Sequence, residues 1–195
     1  RLGARLGSSL EAAVFESFDE QLQRAVVLKL VHPDLSDLPE LQRQFNSTMP
    51  VAAALHHPNI AELYDWGRAQ WNDRTVLYVA TERLLGGSLR DLLDRGRLLS
   101  PSQSLVVGLD ACKALDALHR GGLVHTDVRP STLVFGDDRR LRLVDAGLAQ
   151  VLHDAVDDVT VRSMDRAKYS SPEEAQGQPV LPKSDVYSLC LSLLE

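Results

Sequence analysis

Three charged side chains in this 195-residue sequence are of a type and placement that could do chemistry. Lys29 falls inside Val26-Val27-Leu28-Lys29-Leu30-Val31, and an ammonium at the centre of an apolar strand is rarely placed there to fill space. Asp127 sits in His125-Thr126-Asp127-Val128-Arg129-Pro130 and Asp145 in Asp145-Ala146-Gly147, one on each side of a short apolar hairpin. A fixed cation and two fixed carboxylates suit the stabilisation of charge on a reacting group, and theirs are the charges a site can least replace. The cysteines offer no rival chemistry. Cys112 and Cys190 lie in apolar helical patterns without C-x-x-C or Cys/His ligand spacing, and both read as small buried side chains.

The elements that must position those groups follow from pattern. Val26 to Val31 and Val76-Leu77-Tyr78-Val79-Ala80 read as buried strands, with Pro33, Asp34 and Pro39 as turn signals after the first. Residues 40 to 55 have a helical composition that Pro50 is expected to interrupt, since its ring meets the carbonyl of Asn46 at a cost of about 3 kcal/mol. Ser100-Pro101-Ser102-Gln103 reads as an N-cap, a proline at the first helical position and a capping-box glutamine. The helix it opens is expected to bury Leu105, Leu109, Cys112, Leu115 and Leu118 and to end at Gly121-Gly122. Thr132 to Phe135 and Leu141 to Val144 form a hairpin around Gly136-Asp137-Asp138, and residues 145 to 172 read as a long irregular loop of the functional kind.

Composition narrows the class. The chain is 44% hydrophobic and 25% charged, which fits a globular domain with a real core. A net charge of −6 without a basic stripe argues against a nucleic-acid partner. No apolar run of about 18 residues predicts a membrane segment, so a cytoplasmic location is expected, including that of an intracellular domain on a membrane-anchored protein.

Five segments in order resemble one family, the Hanks-type bacterial serine/threonine protein kinases. They are Val27-Leu28-Lys29, His56-His57-Pro58-Asn59-Ile60, His125 to Pro130, Asp145-Ala146-Gly147, and Tyr169-Ser170-Ser171-Pro172-Glu173-Glu174 followed by Ser184-Asp185-Val186-Tyr187-Ser188-Leu189. The resemblance implies an α+β, bilobal protein-kinase-like fold. A β-rich N-lobe would cover residues 1–82, and a hinge with part of a mainly helical C-lobe residues 83–195. The chain would stop inside that lobe, leaving apolar positions such as Leu189 and Leu193 uncovered.

The same resemblance implies ATP and Mg²⁺ as cofactors and a protein as substrate or partner. In the glycine-rich loop Gly7 remains, Ser9 and Ala12 replace the other glycines, Glu11 adds a negative charge, and Val14 follows. Lys29 would bind the α- and β-phosphates. Its glutamate partner falls on Thr48, so Lys29 is expected to lack a partner. Val27 takes the place of the alanine against adenine, Thr81 is the gatekeeper, Glu82, Arg83 and Leu84 form the hinge, and Val134 would lie under the base. Asp127 matches the catalytic aspartate. Thr126 replaces an arginine, Arg129 the lysine that steadies the transferred phosphate, and Thr132 the Mg²⁺-binding asparagine. Asp145 keeps the principal Mg²⁺ ligand, but Ala146 replaces a packed phenylalanine, a loss of roughly 3 to 5 kcal/mol unless neighbours fill the gap. Asp165-Arg166 replaces the Gly-Thr pair of the substrate platform. Thr160 falls at the activating phosphosite beside Asp157 and Asp158, where a solvated loop threonine is the favoured reading, and Asp185 is expected to anchor the catalytic loop.

Fold-bearing motifs thus persist while phosphate- and metal-handling positions change. The expectation is a pseudokinase serving as a signalling or scaffold module. The alternatives are a slow ATP-dependent serine/threonine kinase, because Lys29, Asp127 and Asp145 remain, and more remotely a small-molecule phosphotransferase, against which the Tyr169 to Glu174 segment speaks.

Overall fold

The computed structural model describes residues 1–155 and 164–195; Thr160, Asp157 and Asp158 lie outside the described residues. β-strands β1 (Leu2–Ser8), β2 (Ala12–Asp19), β3 (Arg24–Val31), β4 (Leu63–Trp71) and β5 (Arg74–Glu82) form an antiparallel sheet in the order β1-β2-β3-β5-β4. Both predicted strands are present, as β3 and β5, and their pairing sets Lys29 opposite Val79 and Val27 opposite Thr81. Between β3 and β4 run α1 (Pro33–Ser36) and α2 (Pro39–Ala53).

Pro50 does not interrupt α2, which continues through it to Ala53. Leu41, Phe45, Met49 and Ala52 are all buried on one face of this helix. Full burial is worth about 1.5 to 3 kcal/mol for each large apolar side chain, so three of them outweigh the roughly 3 kcal/mol of a proline in the last turn.

The helical part holds α3 (Leu89–Asp94), α4 (Pro101–Arg120), the hairpin of β6 (Leu133–Phe135) and β7 (Leu141–Leu143), α5 (Leu148–Ala155), α6 (Met164–Ala167), α7 (Pro172–Ala175) and α8 (Pro182–Leu194). The α4 start is as predicted, with Ser100 and Gln103 closing both arms of the capping box. Its buried face is as expected only at Leu115 and Leu118. Val107, Ala111, Ala114, Leu115 and Leu118 face inward, while Leu105, Leu109 and Cys112 are exposed, as is Cys190. The inward stripe carries small residues that let α8 approach closely, and a Cβ on Gly108 would sit 3.1 Å from Leu193. Leu189 is buried and Leu193 packs against the core, so the apolar positions left exposed on α8 are Val186, Tyr187, Cys190 and Leu194 instead. One core runs through both parts, joining Phe45 and Met49 of α2 with Leu118 of α4, Leu143 of β7 and Val151 of α5.

Among the described residues from 145 to 172, the segments of α5 and α6 are helical where their polarity suggested an irregular loop. Leu148, Val151 and Leu152 recur at helical spacing and bury α5 against α2. That packing needs the backbone of Gly147 to lie close. Its φ is +82°, and an added Cβ would meet the Ala52 side chain at 2.7 Å.

Candidate functional site

A cavity of about 410 Å³ opens where the sheet meets the helical part. Gly7, Ser8 and Ser9 form its roof with Val14 and Lys29, and Asp127, Arg129, Thr132 and Asp145 its floor. Of the sequence-predicted residues it gathers Gly7, Val14, Lys29, Asp127, Arg129, Thr132 and Asp145. Val27, Glu82, Leu84 and Val134 do not line it. Glu82 ends β5, accepts the Glu62 amide at 3.4 Å and pairs with Arg142 at 3.5 Å; Val134 faces Arg142 in the β6–β7 pair, and Val27 and Leu84 are half-buried.

Each floor residue is held by local chemistry. Asp185 of α8 is almost wholly buried and accepts the amides of His125 and Thr126 at 2.8 Å each, with His119 at 2.7 Å, which is the anchoring expected of it. Buried His125 also contacts the Val144 carbonyl at 2.8 Å, tying this loop to the segment carrying Asp145. Thr126 and Asp145 both have left-handed backbones, φ +67° and +68°, conformations that side chains adopt only where the surroundings over-determine them.

Lys29 is not without a partner. Its ammonium is ion-paired with Asp145, both about five-sixths buried, so the acid missing from α2 is replaced by the predicted metal ligand itself. Thr48 instead turns its methyl group toward Gly147. Asp127 is paired with Arg129 at 3.0 Å and lies 3.6 Å from Arg166. The Thr132 hydroxyl donates toward the carbonyls of Asp127 and Arg129, 2.9 Å each, and accepts the Arg129 amide at 3.0 Å. A hydroxyl has one proton and two lone pairs, so the loop's own backbone occupies most of its capacity. With Asp145 on Lys29 and Thr132 stapling the loop, the residues present do not fit a two-ligand Mg²⁺ site.

The lining includes a residue whose part the sequence did not disclose. Arg166 of α6 donates to the Thr126 carbonyl at 3.2 Å, contacts His153 of α5 at 3.2 Å and pairs with Glu11 at 3.5 Å. Its place in the altered Asp165-Arg166 pair was visible, but not its reach. Leu148, Ala149 and Leu152 of α5 also line the cavity, and their helical spacing was the available signal.

A β-rich sheet over a helical part, with a lysine on β3 facing two loop aspartates, is the layout of a protein kinase, and the chain matches the protein kinase domain model over residues 1–195. It belongs to that family. More particularly, it is similar to bacterial serine/threonine kinases: 33% identical to PknB of Mycobacterium leprae and 33% to a probable serine/threonine-protein kinase of Streptomyces coelicolor, in each case over the whole chain. It spans only 31% and 29% of the length of those two relatives. Among solved structures it is similar to the Mycobacterium tuberculosis PknI kinase domain, with a TM-score of 0.74 and 27% identity, covering 99% of this chain and 71% of that one. No helix among the described residues is long and apolar enough to cross a membrane.

Proposed function

We propose that this domain is a pseudokinase, a kinase fold used as a protein-binding signalling or scaffold module with weak or absent phosphoryl transfer. What carries the reading is the pairing of Lys29 with Asp145, which uses up the cation meant for phosphate and the carboxylate meant for metal. The engaged Thr132 hydroxyl and the arginines on Asp127 support it. Kinase chemistry rests on positioning phosphates and neutralising their charge, so groups neutralised by one another must be separated before they serve a nucleotide. In this reading ATP binds weakly, Mg²⁺ adds little, and the partner is a protein.

One observation favours a slow kinase instead: Lys29, Asp127 and Asp145 all line a single cavity. If three supporting contacts are lost at about 1.4 kcal/mol each, turnover falls about a thousandfold rather than to nothing. Radiolabelled phosphate transfer by the full-length protein separates the two. The pseudokinase reading expects at most a trace close to the level of Asp127→Asn, and sustained multiple-turnover transfer that Asp127→Asn abolishes would sink it.

A further inference from the structure

The cavity lining holds three cations, Lys29, Arg129 and Arg166, and three carboxylates, Glu11, Asp127 and Asp145, and each cation is in contact with one of the carboxylates. Arg129–Asp127 lies within the floor, whereas Lys29–Asp145 and Arg166–Glu11 each join the floor side to the roof side. Of these two, the second is the one that engages the turn between β1 and β2.

Both members are fixed from behind. Glu11 lies in the turn between β1 and β2, where its amide donates to the Ser9 hydroxyl at 3.1 Å and its carbonyl accepts the His32 amide at 2.8 Å. Arg166 is held on the other side by the Thr126 carbonyl, Asp127 and His153, the last itself 3.8 Å from the buried Glu174 of α7. The Arg166 side chain is 11% exposed and that of Glu11 23%, so their charges are screened far less than those of a surface pair. A guanidinium has five donors in a fixed fork, which is why one side chain can hold the catalytic loop, α5 and the roof turn together.

From this geometry we propose that Arg166 is a latch: it closes the cleft mouth onto Glu11 and occupies Asp127, so a nucleotide must break the Arg166–Glu11 pair to enter. This deepens the pseudokinase reading by naming what regulates access to the site, and it rests on the cleft being a nucleotide cleft. The latch has a sign opposite to that of the obvious alternative. If Arg166 were a phosphate contact, removing its charge would weaken nucleotide binding; as a latch, removing it strengthens binding.

The test is the affinity of the full-length protein for a fluorescent N-methylanthraniloyl ATP, with and without Mg²⁺, for wild type, Glu11→Gln, Arg166→Gln and the double variant. Each single variant is expected to bind at least fivefold more tightly than wild type, and the double variant no more tightly than the better single. Unchanged or weaker binding in Arg166→Gln, including no detectable binding by any of the proteins, overturns the latch, as does additive tightening in the double variant. Should Arg166→Gln fail to fold, judged by its melting curve, Glu11→Gln decides on the same fivefold criterion. Sustained multiple-turnover phosphate transfer by wild type would sink the proposed loss of catalysis without touching this result, so the two failures are distinguishable.

Discussion

Thr132, expected from the sequence at a metal site, serves the scaffold of its loop instead. In the loop His125 to Thr132 its hydroxyl makes three contacts with backbone groups of Asp127 and Arg129 while being almost completely buried. Removing the hydroxyl without changing the shape would take a partner from the Arg129 amide and the Asp127 carbonyl, while the Arg129 carbonyl would keep the Thr132 amide at 2.9 Å. Thr132→Val is therefore expected to lower the unfolding free energy by about 1 to 3 kcal/mol, and Thr132→Ser to leave it nearly unchanged, read from urea denaturation midpoints. Equal midpoints for Val and wild type would show that the hydroxyl is not structural. A companion measurement concerns metal. Thr132→Asn restores an amide oxygen, but Asp145 stays on Lys29, so Mg²⁺ should improve ATP binding by this variant less than tenfold. A larger gain would make Thr132 the main defect in metal handling.

At the scale of elements, α5 answers the problem set by Ala146. The substitution of an aromatic by alanine suggested a poorly filled gap below α2. Leu148, Ala149, Val151 and Leu152 are instead all buried there, with Val151 fully so, and Ala146 packs against the same core. Restoring the aromatic should then overpack the site: Ala146→Phe is expected to cost about 1 to 3 kcal/mol of stability, measured by denaturant unfolding, where an unfilled gap would make it stabilising. The same elements mark what was legible beforehand. β3, the capping box of α4 and the hairpin were readable because period, cap chemistry and turn residues act locally. The inward face of α4 was legible only at Leu115 and Leu118, because which of the neighbouring positions turn inward depends on where β7 and α8 pack against the helix. Likewise Lys29, Asp127 and Asp145 were readable from their motifs, whereas the Lys29–Asp145 pair and the reach of Arg166 depend on segments more than a hundred, or some forty, positions apart.

For the molecule as a whole, the helical part is tied together at Glu195, which follows α8. Its carboxylate binds Arg90 of α3 through both oxygens at 3.0 Å, Lys168 at 2.5 Å, and Tyr169 through the phenol hydroxyl. Desolvation alone would raise its pKa, but the hydrogen bonds from Arg90, Lys168 and Tyr169 prevail and bring it down to about 2 from an ordinary 4.5. Because the folded state holds this acid ionised more strongly than the unfolded state, the stabilisation is fully present above pH 4.5 and disappears as pH falls toward 2. Asp91 and Asp138 are shifted in the same direction, Asp91 by its bonds to Ser88 and Asp138 by Arg142, so the acid limb of the whole protein is a sum. Glu195→Gln isolates one component of it. The variant should be less stable than wild type at pH 6, and the difference between their melting temperatures should shrink steadily between pH 4.5 and 2. A constant difference across that window would mean that the carboxylate contributes by shape rather than charge. The three segments it joins would then be held by packing around the buried Tyr169 alone.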